Sequence, residues 1–316
     1  MKLGFLYAGQ GSQHAGMGAD LYEAFSAFRA VYDYAEVDFD LKKVTFEDPD
    51  GIINQTRYTQ PCMVAFAAGM TAVLREKGIT PAVAAGLSLG EYSALHAAGV
   101  FDAATAIRLV AFRGKAMEEA AAGRESAMMA VLNLDRSPLQ DACDAASDLG
   151  CVVIANYNCP GQIVITGLAE AVAEASEKLK AAGGRRVIPL NVSGPFHSKM
   201  LVPAGEKLAE ELENTRFHEL KIPYVTNVSA EEVTDIRETP GLLTTQISSP
   251  VRWMQSMERM IADGVDTFVE IGPGRTLEGF LRKINRNVKV FHISQWEDVD
   301  KVCEELADGG NRMEES

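Results

Sequence analysis

Strand and helix signals alternate along most of the 316-residue chain, and this alternation restricts the fold to the α/β class. Leu3 to Tyr7 and Val83 to Leu87 are short apolar runs of strand length, and each leads into a turn that contains glycine. A helical region follows the second run, and Asp102 is a suitable N-cap for its later part, which continues to about Ala122. We therefore expect a large α/β domain with a parallel sheet at its core.

A second pattern begins near Gly123 and predicts a smaller unit inserted into the large one. Its elements follow the order β-α-β-β-α-β, which is the ferredoxin-like arrangement. The predicted elements are, in order, Ala127–Leu132, Ser137–Leu149, Val152–Asn156, Gln162–Thr166, Ala169–Ala182 and Arg186–Val192. We expect residues 123–193 to form a ferredoxin-like subdomain, and residues 1–122 and 194–316 to form the catalytic domain.

The pentapeptide from Gly86 to Gly90 matches Gly-x-Ser-x-Gly and stands between an apolar strand and a helix. Its two glycines would let neighbouring backbone approach a strained Ser88 without a Cβ clash. The Ser88 oxygen would then project at a helix N-terminus, where backbone N–H groups favour negative charge, and the N–H of Leu89 would be placed to donate to an oxyanion. A tight turn that merely contains a serine has the same pattern, so the motif alone leaves both interpretations open.

A serine nucleophile needs a general base. Among the histidines, His197 is the candidate because of the loop in which it lies. It lies in the run from Ser193 to Ser198, where glycine and proline indicate a fixed loop of the kind that often carries function. His96 shares the helix that follows Ser88 but lies about two turns further along, too far to reach back. The others are His14, His218 and His292. Taken alone, each histidine also fits a structural role.

Two further features indicate ligand contacts. Arg113 shares one helix face with Val110 and Met117, so it is predicted to point inward. A buried guanidinium needs an anion, either an internal Asp or Glu or a substrate carboxylate bound in bidentate fashion. The loop from Gly9 to Gln13 follows the first strand, and the glycines beside Gln10 permit close approach of a ligand to the backbone. A loop that only turns the chain remains the alternative.

Composition excludes several classes of function. The net charge of −14 disfavours nonspecific nucleic-acid binding, which depends on Lys and Arg against phosphates. The five cysteines contain no Cys-x-x-Cys pair, so neither a zinc site nor a disulfide framework is indicated. No run approaches the roughly 20 apolar residues needed to span a bilayer, and the N-terminal apolar run is shorter than a secretory signal. We expect a cytoplasmic protein without a metal.

An ordered set of short segments resembles the malonyl-CoA:acyl carrier protein transacylase family, which includes acyltransferase domains of fatty-acid and polyketide synthases. The resemblance covers nearly the whole chain and implies an α/β-hydrolase-like large domain. The segments that carry it are Gly9–Gln13, Thr59–Pro61, Gly86–Glu91, Arg113–Lys115, Asn158–Gln162, Pro195–Ser198, Pro250–Trp253 and Glu270–Gly274.

The resemblance implies a role for each of five residues in the chemistry. Ser88 would attack the thioester and carry the malonyl ester, while His197 would take the serine proton and return it to the leaving thiol. The backbone carbonyl of Gln246 would orient the imidazole in place of a carboxylate. The N–H groups of Gln10 and Leu89 would form the oxyanion hole. The implied cycle is ping-pong, with coenzyme A leaving before the carrier's phosphopantetheine thiol enters.

The resemblance also implies how the acyl group is chosen. Arg113 would bind the malonyl carboxylate, Gln60 would lie near the acyl pocket, and the bulk of Phe196 would disfavour a branched group such as methylmalonyl. Leu87 stands where the family usually has histidine, which removes a neighbour of Ser88 but not the expected base.

The expected partners are malonyl-CoA and acyl carrier protein, with no bound cofactor, no nucleic acid and no membrane, and the chain is expected to act as a monomer in fatty-acid synthesis. An acidic carrier would need a local basic patch, for which Lys115, Arg185, Arg186 and Lys199 are candidates. The alternatives are an α/β-hydrolase esterase, a noncatalytic docking module and an enzyme for an uncharged acyl group. An uncharged acyl group would leave Arg113 unpaired.

Overall fold

The computed structural model describes residues 1–184, 186–190 and 194–311. Within them the strands are β1 (Leu3–Tyr7), β2 (Val83–Gly86), β3 (Ser126–Leu132), β4 (Val152–Cys159), β5 (Gln162–Leu168), β6 (Arg186–Pro189), β7 (Tyr224–Val225), β8 (Glu232–Val233), β9 (Thr267–Ile271) and β10 (Lys289–Ile293). The larger sheet has the order β10-β9-β1-β2-β7-β8, and all its neighbours are parallel except β7 and β8. The expected parallel core is therefore confirmed, with one antiparallel strand at its edge.

The described helices cover both the large sheet and the smaller one. They are α1 (Ala19–Ala24), α2 (Ser26–Asp33), α3 (Leu41–Phe46), α4 (Thr56–Glu76), α5 (Gly90–Ala97), α6 (Ala103–Ala121), α7 (Arg136–Ala146), α8 (Ala169–Ala181), α9 (Val202–Glu213), α10 (Thr239–Gln246), α11 (Trp253–Ala262), α12 (Thr276–Ile284) and α13 (Trp296–Asn311). None of these helices is long and apolar enough to cross a membrane.

The smaller sheet is antiparallel and has the order β4-β5-β3-β6, with α7 and α8 packed against it. Chain order and sheet order together give the ferredoxin-like arrangement, which confirms the predicted fold class. Its apolar side chains form their own buried cluster around Val131, Ile165 and Leu179. The domain boundaries themselves stay a prediction, and residues 185 and 191–193 lie outside the described residues.

Several predicted element ends are wrong by a few residues. The strand expected to stop at Asn156 continues as β4 to Cys159, because its last residues still pair with β5 across a bulge. The strand expected to stop at Leu87 ends one residue earlier, at Gly86. By contrast, Asp102 does cap α6, with its carboxylate accepting from the Thr105 N–H at 2.7 Å.

The core of the large domain places α4 and α6 side by side against the sheet. α4 is buried along most of its length, and Gly69 lets it approach α2 closely, since a Cβ there would lie 2.6 Å from the Phe28 ring. Gly114 does the same for α6, where a Cβ would lie 2.9 Å from the Thr56 carbonyl oxygen. This close packing holds the inward face of α6, which carries Arg113, beside the end of β2.

Candidate active site

The turn between β2 and α5 holds Ser88 in a left-handed conformation, with φ of 52°. A Cβ on Gly86 would lie 1.9 Å from the carbonyl carbon of Gly90, and a Cβ on Gly90 would lie 2.2 Å from the Tyr7 carbonyl oxygen. Any side chain at either glycine would therefore collide with backbone. The close approach expected at both glycines is confirmed, and it explains why this sequence makes a sharp strand-to-helix turn.

His197 meets Ser88 from a loop more than 100 residues away in the chain. The Ser88 Oγ lies 2.8 Å from His197 Nε2. On the other side of the ring, Nδ1 lies 3.0 Å from the Gln246 carbonyl oxygen and 3.1 Å from that of Ser249. Because both carbonyls can only accept, Nδ1 carries the proton and Nε2 is left to accept from the serine hydroxyl.

Burial and the nearby positive charge of Arg113 lower the pKa of His197 to about 4, although the two carbonyls on Nδ1 oppose this shift. The imidazole is therefore neutral at pH 7 and free to accept a proton. The ring is only 3% exposed, and His197 itself has φ of 60°, so the loop holds it in a fixed position.

Arg113 points inward from α6, as its position on the helix predicts, and is 1% exposed. Its Nη2 lies 3.3 Å from Ser88 Oγ and 3.1 Å from Gln246 Oε1, while its guanidinium carbon lies 5.6 Å from the centre of the Tyr92 ring. In the described part of the chain no carboxylate comes within 4.0 Å of this guanidinium, and Nε has no hydrogen-bond partner. Burial lowers the pKa of Arg113 from its ordinary value.

A cavity of about 240 Å³ opens beside Ser88 between the two sheets. The large domain lines it with Gln10, Leu89, Gln60 and Phe196, which brings these predicted residues to the same cleft as Ser88, His197 and Arg113. Gln60 donates from Nε2 to Met117 Sδ at 3.5 Å, and its Oε1 has no partner among the described residues.

The small sheet supplies the opposite wall of this cavity. Met128, Ala130 and Val164 give it an apolar surface, and Asn156 and Asn158 add amides. Asn158 is 6% exposed, and its Oδ1 finds no hydrogen-bond partner in the described residues. A cleft between the sheets therefore combines a serine–histidine pair, a buried cation and buried polar groups without partners, which is the composition of a ligand site.

Three of the four candidate residues for a basic patch lie in the described part of the chain. Lys115 and Lys199 are exposed, but Lys115 lines a groove with Arg57 and Arg108 that is separate from the cavity beside Ser88. Arg186 is exposed on β6, and Arg185 lies outside the described residues. The docking prediction therefore stays a prediction.

Sequence reasoning missed three contributions to the site. Asn227 and Glu91 are fully buried beside the serine turn, and the side chain of Gln246 joins them. Burial raises the pKa of Glu91 to about 7 against the hydrogen bonds that stabilise its carboxylate. The only signal in the sequence was polarity next to the motif, since Glu91 follows Gly90 directly.

A buried carboxylate also fixes the rim of the cavity. Glu270 in β9 accepts from the N–H groups of Leu277 and Glu278 at 3.0 and 2.7 Å, in the first turn of α12. Thr276, Leu277 and Phe280 of that helix line the cavity. Burial raises the pKa of Glu270 to about 7.

Comparison with known proteins gives consistent results. The family model described as acyl transferase domain matches residues 4–296. A protein from Bacillus subtilis named malonyl CoA-acyl carrier protein transacylase is 41% identical over 308 residues, which cover 96% of this chain and 97% of that protein.

Solved structures are also similar to this chain, both in sequence and in fold. The malonyl CoA-acyl carrier protein transacylase of Clostridium perfringens is 39% identical, with a TM-score of 0.95 and coverage of 99% of this chain and 100% of its own. A malonyl-transacylase solved in complex with a type II polyketide synthase acyl-carrier protein is 37% identical, with a TM-score of 0.93 and coverage of 96% and 100%.

Proposed function

The chain belongs to the acyl transferase domain family, and from that premise we propose that it transfers malonyl from malonyl-CoA to the phosphopantetheine thiol of an acyl carrier protein. The names of its relatives support the reaction, and the complex of a relative with a carrier protein supports the acceptor. The observation that carries the choice of malonyl is Arg113, a buried cation 3.3 Å from the nucleophile without a carboxylate partner in the described chain.

Acylation begins when Ser88 Oγ attacks the thioester carbonyl while His197 Nε2 takes its proton. The N–H groups of Gln10 and Leu89 stabilise the oxyanion of the tetrahedral intermediate. As the intermediate collapses, the C–S bond breaks, His197 returns the proton to sulfur, and coenzyme A leaves. The carbonyls on Nδ1 hold the ring so that Nε2 faces the serine throughout.

Deacylation repeats these steps with a different thiol. The carrier's phosphopantetheine thiol gives its proton to His197 and attacks the malonyl ester, and the proton then returns to Ser88 Oγ. The donor thioester supplies the acyl group, so the proposed cycle needs no bound cofactor.

Arg113 selects a dicarboxylic acyl group by geometry. In a malonyl group a single methylene separates the free carboxylate from the reacting carbonyl. A guanidinium that touches the nucleophile can therefore bind that carboxylate while the carbonyl is under attack. An acetyl group would leave the buried cation unpaired, which is costly. Gln60 and Phe196 would bound the space around the methylene, where a methyl branch would need room.

The setting of the reaction is also part of the proposal. We expect a monomer in the cytoplasm that supplies fatty-acid synthesis. Because one relative is bound to a polyketide synthase carrier, activity with that class of carrier is the second pathway to test.

Intact-protein mass spectrometry after brief incubation with malonyl-CoA tests the proposal directly. We expect one malonyl adduct on the wild-type chain, no adduct on Ser88→Ala, and little adduct from acetyl-CoA. The adduct should disappear when a holo acyl carrier protein is added, with malonyl appearing on the carrier. Release of free malonate faster than transfer would instead support an esterase, and no adduct with no coenzyme A release would support a docking module.

A further inference from the structure

The backbone of Ser88 is held by a side chain 139 residues further along the chain. The Ser88 N–H donates to Asn227 Oδ1 at 2.6 Å, and Asn227 Nδ2 donates to the Gly86 carbonyl oxygen at 2.7 Å. The side-chain amide of Asn227 therefore binds backbone groups of both residues that flank Leu87. A backbone N–H can only donate and a carbonyl can only accept, so these two partners fix the orientation of the Asn227 amide.

The large sheet explains why Asn227 reaches this point. β7 runs parallel to β2, with Val225 opposite Ala85. Two residues after each of these, the chains reach Asn227 and Leu87, so Asn227 leaves its strand beside the turn that follows β2. Asn227 is 1% exposed, so water is not positioned to replace its hydrogen bonds.

A ring of hydrogen bonds anchors Asn227 and closes on the other side of Ser88. The Asn227 N–H donates to Glu91 Oε2 at 3.0 Å, and Gln246 Nε2 donates to the same oxygen at 2.7 Å. Gln246 Nε2 also donates to the Ser88 carbonyl oxygen at 2.9 Å. Both polar backbone groups of Ser88 are thus bound by side chains from other parts of the fold.

Such binding matters because Ser88 adopts a conformation that its Cβ disfavours. A serine with φ of 52° relaxes toward ordinary backbone angles unless surrounding groups hold it, and relaxation would move Oγ away from His197 Nε2. We propose that Asn227 is a positioning residue, which holds the strained turn so that Ser88 Oγ stays in line with His197 for nucleophilic attack. The step itself remains that of the proposed function, on which this inference rests.

The main test is Asn227→Ala, measured by rapid quench and mass spectrometry as the rate of malonyl adduct formation. We expect this rate to fall about 100-fold, since a small misplacement of reacting atoms has that effect. The affinity for malonyl-CoA, measured with Ser88→Ala and with the Ser88→Ala/Asn227→Ala double variant, should differ by less than about threefold. The split between rate and binding separates positioning of Ser88 from a general loss of the pocket.

A second readout keeps this test independent of the acyl donor. Labelling of Ser88 by a fluorophosphonate needs an activated serine but no malonyl-CoA, and it should slow by a similar factor in Asn227→Ala. If wild-type protein is labelled but forms no malonyl adduct, the proposed function fails while the role of Asn227 can still be judged.

The matched control is Val299→Ala, which removes buried side-chain volume in α13 at the far edge of the large sheet. It should lower the melting temperature but leave the labelling rate of the folded protein unchanged. If Asn227→Ala does not fold, Asn227→Ser replaces it, because a hydroxyl on this shorter side chain cannot span both partners. A labelling rate within about threefold of wild type in the folded variant, or equal losses in rate and malonyl-CoA affinity, would overturn the proposal.

Discussion

The two regions that meet at the cavity differ in how their polar atoms are satisfied. In the nucleophile region, made of Ser88, His197, Asn227 and Gln246, every buried polar side-chain atom has a hydrogen-bond partner, and in the neighbouring Glu91 carboxylate only Oε1 lacks one among the described residues. In the pocket region, made of Gln60, Arg113 and Asn158 with Phe196, the atoms Gln60 Oε1, Arg113 Nε and Asn158 Oδ1 have none among the described residues.

We interpret this difference as a separation of the proposed catalysis from the proposed recognition of the acyl group. A buried polar atom without a partner costs about 1–3 kcal/mol, and a ligand that supplies the partner recovers that free energy. The nucleophile region is already arranged for attack before any ligand binds, whereas the pocket region is complete only with one. We therefore expect changes in the first region to lower rate, and changes in the second to alter which acyl group is accepted.

The largest effect should come from the base. His197→Ala removes the proton acceptor, so the rate of malonyl adduct formation should fall about 1,000-fold, within the usual range for general-base catalysis. Rapid-quench mass spectrometry gives this rate. His218→Ala, which changes an exposed histidine, is the matched control and should keep the wild-type rate. A comparable loss in the control, or acylation near the wild-type rate without His197, would contradict the assignment.

Arg113→Ala should change selectivity more than it changes attack. Loss of a charge-assisted bidentate contact should lower kcat/KM for malonyl-CoA about 100-fold, while kcat/KM for acetyl-CoA stays the same or rises. Competition between the two thioesters measures the ratio. Arg108→Ala removes an exposed arginine of the same helix and should leave the ratio unchanged. Equal losses with both donors would show that Arg113 belongs to the nucleophile region instead.

Phe196→Ala should affect only the space around the acyl methylene. Because the ring is buried at the cavity wall, its removal should raise the use of methylmalonyl-CoA relative to malonyl-CoA about tenfold, the scale set by one methyl group in an apolar pocket. The ratio of carrier-bound products measures this change. An unchanged ratio, with wild-type stability, would remove Phe196 from the specificity of the pocket.

The smallest effect is expected from pH. His197 is neutral above its lowered pKa of about 4, so its own titration should change the acylation rate less than about twofold between pH 5.5 and 8, whereas a histidine with an ordinary pKa would lose about tenfold at pH 5.5. The Glu91 carboxyl, with a pKa near 7, is the other group that titrates beside Ser88. An inflection near pH 6.5 that persists in Glu91→Gln would contradict the lowered pKa of His197.

Local pattern was enough to predict most of the fold. The strand Leu3–Tyr7 is found as expected, because an apolar run that leads into a glycine turn is visible within about ten residues. The start of α4 is harder to predict, because this helix begins at Thr56 and includes Pro61 in its second turn, where proline usually marks a boundary.

The candidate site likewise has features that local sequence predicts and features that only the folded chain shows. The motif around Ser88 is local, whereas the hydrogen bond between Ser88 and Asn227 joins residues 139 positions apart and depends on which strand neighbours β2. The resemblance gave Gln246 a role through its backbone carbonyl. Its side chain, which binds Arg113, Glu91 and the Ser88 carbonyl, could be assigned only from the folded arrangement.

The carboxylate of Glu270 has a consequence for how substrates reach the cavity. It ties the first turn of α12 to an interior strand of the large sheet, so the rim formed by Leu277 and Phe280 is held to that sheet. The opposite wall belongs to the small sheet, which has a core of its own. Backbone hydrogen bonds of Val251 with Ala155 and Tyr157 join that sheet to the large domain, so two large thioesters pass in turn through a cleft whose two walls are both held by hydrogen bonds.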